Sequence, residues 1–92
     1  KPPPAPAPVA KGPVVLKIPN GTGYTVAEVK CDSGVRERAN FAGGTATVAN
    51  IPGPGMDNCT ALFKGAGAPA KAKVAGGKTY NCTFDGSFAN CK

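Results

Sequence analysis

From Val14 onward, apolar and polar residues alternate with a period of two, the signature of half-buried strands. Val14, Leu16 and Ile18 share one face of VVLKIP, and NGTG at Asn20–Gly23 reads as a turn. YTVAEVKC (Tyr24–Cys31) is the next strand, and DSG at Asp32–Gly34 closes a tight hairpin into VRERANF (Val35–Phe41). On that strand Val35, Glu37, Ala39 and Phe41 share one side, and Arg36, Arg38 and Asn40 the other. Further strands are predicted at TATVANI (Thr45–Ile51), CTALFK (Cys59–Lys64), KAKV (Lys71–Val74), KTYNCTF (Lys78–Phe84) and FANC (Phe88–Cys91). No window supports a helix, because Gly and Pro are too frequent for one of ordinary length. Seven to eight short strands with frequent turns predict an all-β domain, a single antiparallel β-sandwich over Val14–Lys92 or a small barrel.

The last hairpin allows a sharper argument. A two-residue turn at Asp85-Gly86 would set Cys82 opposite Ala89, whereas a turn at Gly86-Ser87 sets Cys82 opposite Cys91. Glycine first is the type II′ preference. That register makes Cys82 and Cys91 a non-hydrogen-bonded pair, where cross-strand side chains approach most closely. Cys82–Cys91 is therefore the preferred bridge, with Cys31–Cys59 remaining, although four cysteines admit three connectivities.

These four cysteines in a short, loop-rich chain point to two disulfides and an oxidising, extracytoplasmic compartment. No C-x2-C pair occurs and there is no His, which weakens a metal reading. A site of four thiolates or a set of free buried thiols are the alternatives. A domain of this size buries only roughly 60–65% of the surface of its unfolded chain, so such bridges matter to its stability.

The chain has 11 Lys and Arg against 5 Asp and Glu, a net charge of +6. That balance favours an anionic partner, such as an acidic glycan or a cell-wall polymer. Nucleic acid is disfavoured by the oxidising compartment and by the lack of aromatics alternating with the basic residues. Lys30, Arg36 and Arg38 on the first hairpin, with Lys17 beside them, form the candidate anion-binding set. Lys64, Lys71, Lys73 and Lys78 make a second basic group. A solvated charged face is the plainer explanation of both.

Catalysis finds little support. Triad chemistry of the Ser-His type lacks its base, and the carboxylates Glu28, Asp32, Glu37, Asp57 and Asp85 are dispersed. Glu28 and Glu37 facing each other across the first hairpin would be the one glycosidase-like pair, though a charge lattice with Lys30, Arg36 and Arg38 explains them as well. The glycines fit no phosphate-binding loop, since neither GxGxxG nor a P-loop occurs and no helix follows. No cofactor is implied. Three N-x-T sequons, at Asn20, Asn58 and Asn81, would accept glycans in a eukaryotic secreted protein; the Ala/Gly/Pro-heavy composition points instead to bacteria and to ordinary solvent-facing residues.

Residues 1–13, KPPPAPAPVAKGP, read as a Pro/Ala linker, an extended semi-stiff spacer. A spacer of this kind predicts that the domain belongs to a longer protein. No apolar run approaches the ~18 residues of a membrane span.

GGTATVANIPG (Gly43–Gly53) is a strand ending in a Pro-Gly step, NCTALFKG (Asn58–Gly65) follows as the next strand, and AKVAGGKTYNCTF closes with strand, Gly turn and strand. In this order the stretch Val14–Phe84 resembles the prealbumin-like sandwich modules of the PEGA, carboxypeptidase-regulatory-like and CnaB types. The resemblance implies a non-catalytic stalk, spacer or binding unit appended to a larger protein. MDNC stands where those families place an aromatic, and disulfides are atypical of them. The CnaB type further implies an isopeptide bond, for which Lys17, Asn90 and Glu28 or Glu37 would be the counterparts; two disulfides make it redundant.

Taken together, these features predict a non-catalytic extracytoplasmic module of a larger bacterial surface or periplasmic protein, serving adhesion or protein–protein contact. The alternative is an anion-binding module working through Lys17, Lys30, Arg36 and Arg38.

Overall fold

The alternation emerges as eight strands in a computed structural model, which describes residues 11–65 and 67–92. They are β1 (Lys11–Lys17), β2 (Tyr24–Cys31), β3 (Arg36–Asn40), β4 (Thr45–Pro52), β5 (Cys59–Gly65), β6 (Ala70–Val74), β7 (Thr79–Asp85) and β8 (Phe88–Cys91). No helix occurs among the described residues, and none therefore is long and apolar enough to cross a membrane. β1 starts at Lys11, inside the segment expected to be linker; residues 1–10 of that segment lie outside the described residues.

All eight strands form one sheet in the order β3-β2-β5-β6-β8-β7-β1-β4. Two neighbouring pairs, β1–β7 and β6–β8, are parallel and the others antiparallel. The expectation of an antiparallel two-sheet sandwich is corrected accordingly: the sheet is mixed and curls into a nearly closed barrel. The reason lies in one connection. β3 and β4 stand at opposite ends of the strand order, yet they are consecutive in the chain and joined by a tight glycine turn with an Ala42–Thr45 bridge. The two ends must therefore meet. Beyond that bridge no ladder joins β3 to β4, which leaves a seam where the charged residues Arg36, Glu37 and Arg38 guard an edge.

The inward positions supply the core. Val14, Leu16, Val29, Val48, Ile51 and Phe63 are fully buried. Phe63 has Ala27 as its partner on one neighbouring strand and Ala70 on the other, so small residues on both sides make room for the large one. Tyr24, Phe41 and Phe84 surround its ring at centroid distances of 5.9, 6.1 and 5.1 Å. A bulge keeps β4 in phase with this core: Ala49 and Asn50 together oppose Pro13, and Asn50 takes the left-handed conformation at φ 63°. Strict alternation from Val48 would have turned Asn50 inward; the extra residue turns Ile51 inward instead.

The Cys82–Cys91 bridge forms as the register argument expects, and the remaining pair Cys31–Cys59 forms the second. Cys82 is the cross-strand partner of Cys91, and the flanking Asn81 and Lys92 exchange both backbone hydrogen bonds, so the cysteines occupy the closer, non-hydrogen-bonded site. Gly86 holds φ at +63° as the first residue of the turn. Cys31 and Cys59 are direct partners across β2 and β5. All four sulfurs are thus engaged, and the thiolate metal site is not available to them.

Candidate anion-binding face

Alternation along each strand decides which side chains leave the barrel, and register decides which of them meet. On β2, Ala27, Val29 and Cys31 point inward, so Val26, Glu28 and Lys30 point out. Register then builds three rows across the outer surface. One runs Arg38, Glu28, Leu62, Lys71, Phe88; the second runs Arg36, Lys30, Thr60, Lys73; the third runs Asn40, Val26, Lys64. With adjacent strands about 4.8 Å apart, the first row spans about 19 Å from β3 to β8.

This face carries the cations Arg36, Arg38, Lys30, Lys64, Lys71 and Lys73, all exposed, and the single carboxylate Glu28. Glu28 is only 7% exposed. Its carboxylate lies 3.0 Å from Lys64 Nζ, 3.8 Å from Lys30 Nζ and 3.9 Å from Arg36 Nε. The hydrogen bond from Lys64 holds the carboxyl below its ordinary range, with Lys64, Lys30 and Arg36 adding their charges against the opposing effect of burial. Among the described residues, Arg38, Lys71 and Lys73 form no ion pair. The face therefore keeps an excess of positive charge after its one internal neutralisation.

Phe88 follows Lys71 in the first row and is 77% exposed, and the exposed Asp85 of β7 is its register partner on the far side. A shallow groove lies on either side of it. One, of about 370 Å³, is lined by Thr60, Lys71, Ala72, Lys73 and Phe88. The other, of about 330 Å³, is lined by Leu62, Pro69, Ala70, Lys71, Ser87 and Phe88.

The candidate residues read from the sequence divide. Lys30, Arg36 and Arg38 come together as expected. Lys17 does not join them: it sits on β1, partnered by Thr45 and Asn81, with β4 and the seam between it and β3. Of the second basic group, Lys64, Lys71 and Lys73 merge with the first, while Lys78 precedes β7 elsewhere on the barrel. Phe88 supplies the aromatic whose absence counted against stacking. No local signal would have found it, because β8 reaches β6 by a parallel pairing that skips β7.

The remaining constellations separate. Glu28 is the partner of Arg38 and Glu37 of Val29, so the two carboxylates leave opposite sides of the hairpin and cannot share a substrate. Lys17 and Asn90 are exposed on strands separated by β7, and Glu28 is held by Lys64, so the isopeptide set is not assembled. Asn20, Asn58 and Asn81 are exposed, and the central Cys59 and Cys82 of two sequons are buried on the opposite side. Asp57 ties the loop before β5 to the first hairpin: it accepts hydrogen bonds from Ser33 Oγ, from Ser33 N at 3.3 Å and from Asn58 N at 2.8 Å. The Ser33 hydroxyl is the main cause holding its carboxyl below the ordinary value.

The chain matches no protein-family model, and no curated protein or solved structure is detectably similar to it.

Proposed function

We propose that this domain is a non-catalytic extracytoplasmic module of a larger bacterial surface or periplasmic protein, and that it binds an anionic polymer on its outer β3-β2-β5-β6-β8 face. One observation carries the reading: six cations and one carboxylate lie on a single continuous sheet surface. Charges gathered this way attract a polyanion along a track, whereas the same number scattered over a barrel would mainly keep it soluble. The two disulfides support an oxidising compartment. The separation of Glu28 from Glu37 and the absence of His support a role in binding over one in catalysis. Kinship with the prealbumin-like modules belongs to the same reading and rests on the Gly43–Gly53 and Asn58–Gly65 segments. Adhesion through a protein partner draws on exposed Phe88, but the face is too strongly cationic for that to be the first choice.

The test is retention on an anionic matrix over a salt gradient. Arg36→Ser with Arg38→Ser, and separately Lys71→Ser with Lys73→Ser, should each lower the eluting salt clearly. Lys17→Ser with Lys78→Ser removes equal charge from outside the face and should shift it much less. Equal shifts for all three pairs would reduce the interaction to net charge and sink the proposal.

A further inference from the structure

Resting on the anion-binding reading, we infer that Phe88 is a sugar-stacking subsite, and that the polymer is a polysaccharide of pyranose rings bearing carboxylates. Phe88 is an apolar ring left 77% exposed in a domain with little core to spare. It is the first residue of β8, directly after the Gly86-Ser87 turn. Its backbone is partnered by Asp85 on β7 and by Lys71 on β6, so the ring stands on a fixed base between two strands. The grooves beside it leave the ring open rather than socketed. An open aromatic ring is a platform for the C–H face of a sugar, in the way aromatic rings stack on other flat or apolar partners.

The neighbours of the ring sharpen the ligand class. Lys71 is its register partner on β6 and Asp85 its register partner on β7; Leu62 follows Lys71 in the same row, and Lys73 stands two residues along β6 from Lys71, about 6.6 Å from it. Apolar and cationic groups thus alternate on the β6 side of the ring, where a carboxylate would be received, while Asp85 bounds it on the β7 side. A uronic acid offers the complement, an apolar ring face with a carboxylate attached at its edge. A polyphosphate offers charge with no ring, and an acidic polypeptide offers carboxylates on flexible stems. Both could use the lysines, but neither would need Phe88. The grooves are shallow and open, which suits a chain passing over the face more than a small enclosed ligand.

The experiment compares the full chain with Phe88→Ala, Phe88→Tyr and the Lys71→Ser/Lys73→Ser pair. Affinities are measured by calorimetry for polygalacturonate, polyphosphate and polyglutamate at one low ionic strength. Phe88→Ala should weaken polygalacturonate about tenfold, corresponding to roughly 50 Å² of ring face no longer covered. It should leave polyphosphate and polyglutamate within about twofold, while Phe88→Tyr retains wild-type affinity and the lysine pair weakens all three. An equal effect of Phe88→Ala on all three polymers, or a wild-type preference for polyphosphate or polyglutamate, overturns the sugar assignment and leaves anion binding standing. Failure of the wild type to bind any of the three overturns anion binding itself.

Discussion

Glu28 accepts a hydrogen bond from Lys64 Nζ at 3.0 Å, across neighbouring strands and 36 positions of sequence. Lys64 stands directly opposite Val26, so the contact is diagonal, reaching over the sheet to the next outward residue on β2. The outcome is a built-in counter-anion in the middle of the cationic face. An external polyanion must compete with it for Lys64, Lys30 and Arg36.

Glu28→Gln should therefore tighten binding to polygalacturonate by about two- to tenfold at low ionic strength, in line with the modest strength of partly exposed ion pairs. Glu37→Gln changes the net charge equally but lies off the face, so it should shift affinity much less. Equal gains in the two variants would remove Glu28 from any role in the site. Calorimetry checks this directly.

Acid should destabilise the fold in a defined window. The Glu28 and Asp57 carboxyls are both held below their ordinary values of 4.5 and 3.8. A carboxylate with a depressed folded-state pKa contributes stability that is fully present above its unfolded pKa and is lost as pH falls through the folded one. The contribution of Glu28 is thus complete above pH 4.5 and fades below it, with that of Asp57 fading lower still. Urea unfolding at successive pH values should show this decline, and Glu28→Gln combined with Asp57→Asn should flatten it. An undiminished slope in the double variant would assign the acid sensitivity to other groups.

The two bridges should not be worth the same. They close loops of sequence separation 28 and 9, for which chain entropy gives about 3.6 and about 2.6 kcal/mol. Replacing Cys31 and Cys59 by Ser should therefore cost about 1 kcal/mol more than replacing Cys82 and Cys91. Denaturant midpoints of the two variants decide it, and the reverse order would contradict the entropic account.

Gly76 is where backbone meets backbone. Its N–H donates to the Pro52 carbonyl at 2.7 Å, and a Cβ added there would overlap the carbonyl oxygen of Ile51. Because the obstacle is main chain, no rotamer change can relieve it. Gly76→Ala should lower stability by about 1–3 kcal/mol, the cost of overpacking, seen as a lower thermal midpoint. Gly67→Ala, where an added Cβ meets nothing, should be close to neutral and serves as the control.

Local physics carried most of the strand assignment. The period of two, broken by Asn-Gly, Asp-Ser-Gly and Gly-Gly steps, placed strands at every segment where one forms, and Gly86-Ser87 with Cys82 and Cys91 set the last register. The inward set of Val14, Leu16, Ala61 and Phe63 follows from the same alternation. Those signals are short-range: a turn chooses a register over two strands, and a pleat chooses a side.

Tertiary structure decided the rest. Nothing local says that β8 pairs with β6, that β3 and β4 close a curled sheet, or that Lys17 stays apart from Arg36 while Lys64, Lys71 and Lys73 join it. Sequence by itself sorted most residues into inward and outward and favoured one cysteine pairing among three, while the bulge at Asn50 escaped the alternation. Which outward residues become neighbours was settled only by the order of strands in the sheet. That order depends on burying the apolar faces of all eight strands at once, and no single segment encodes it.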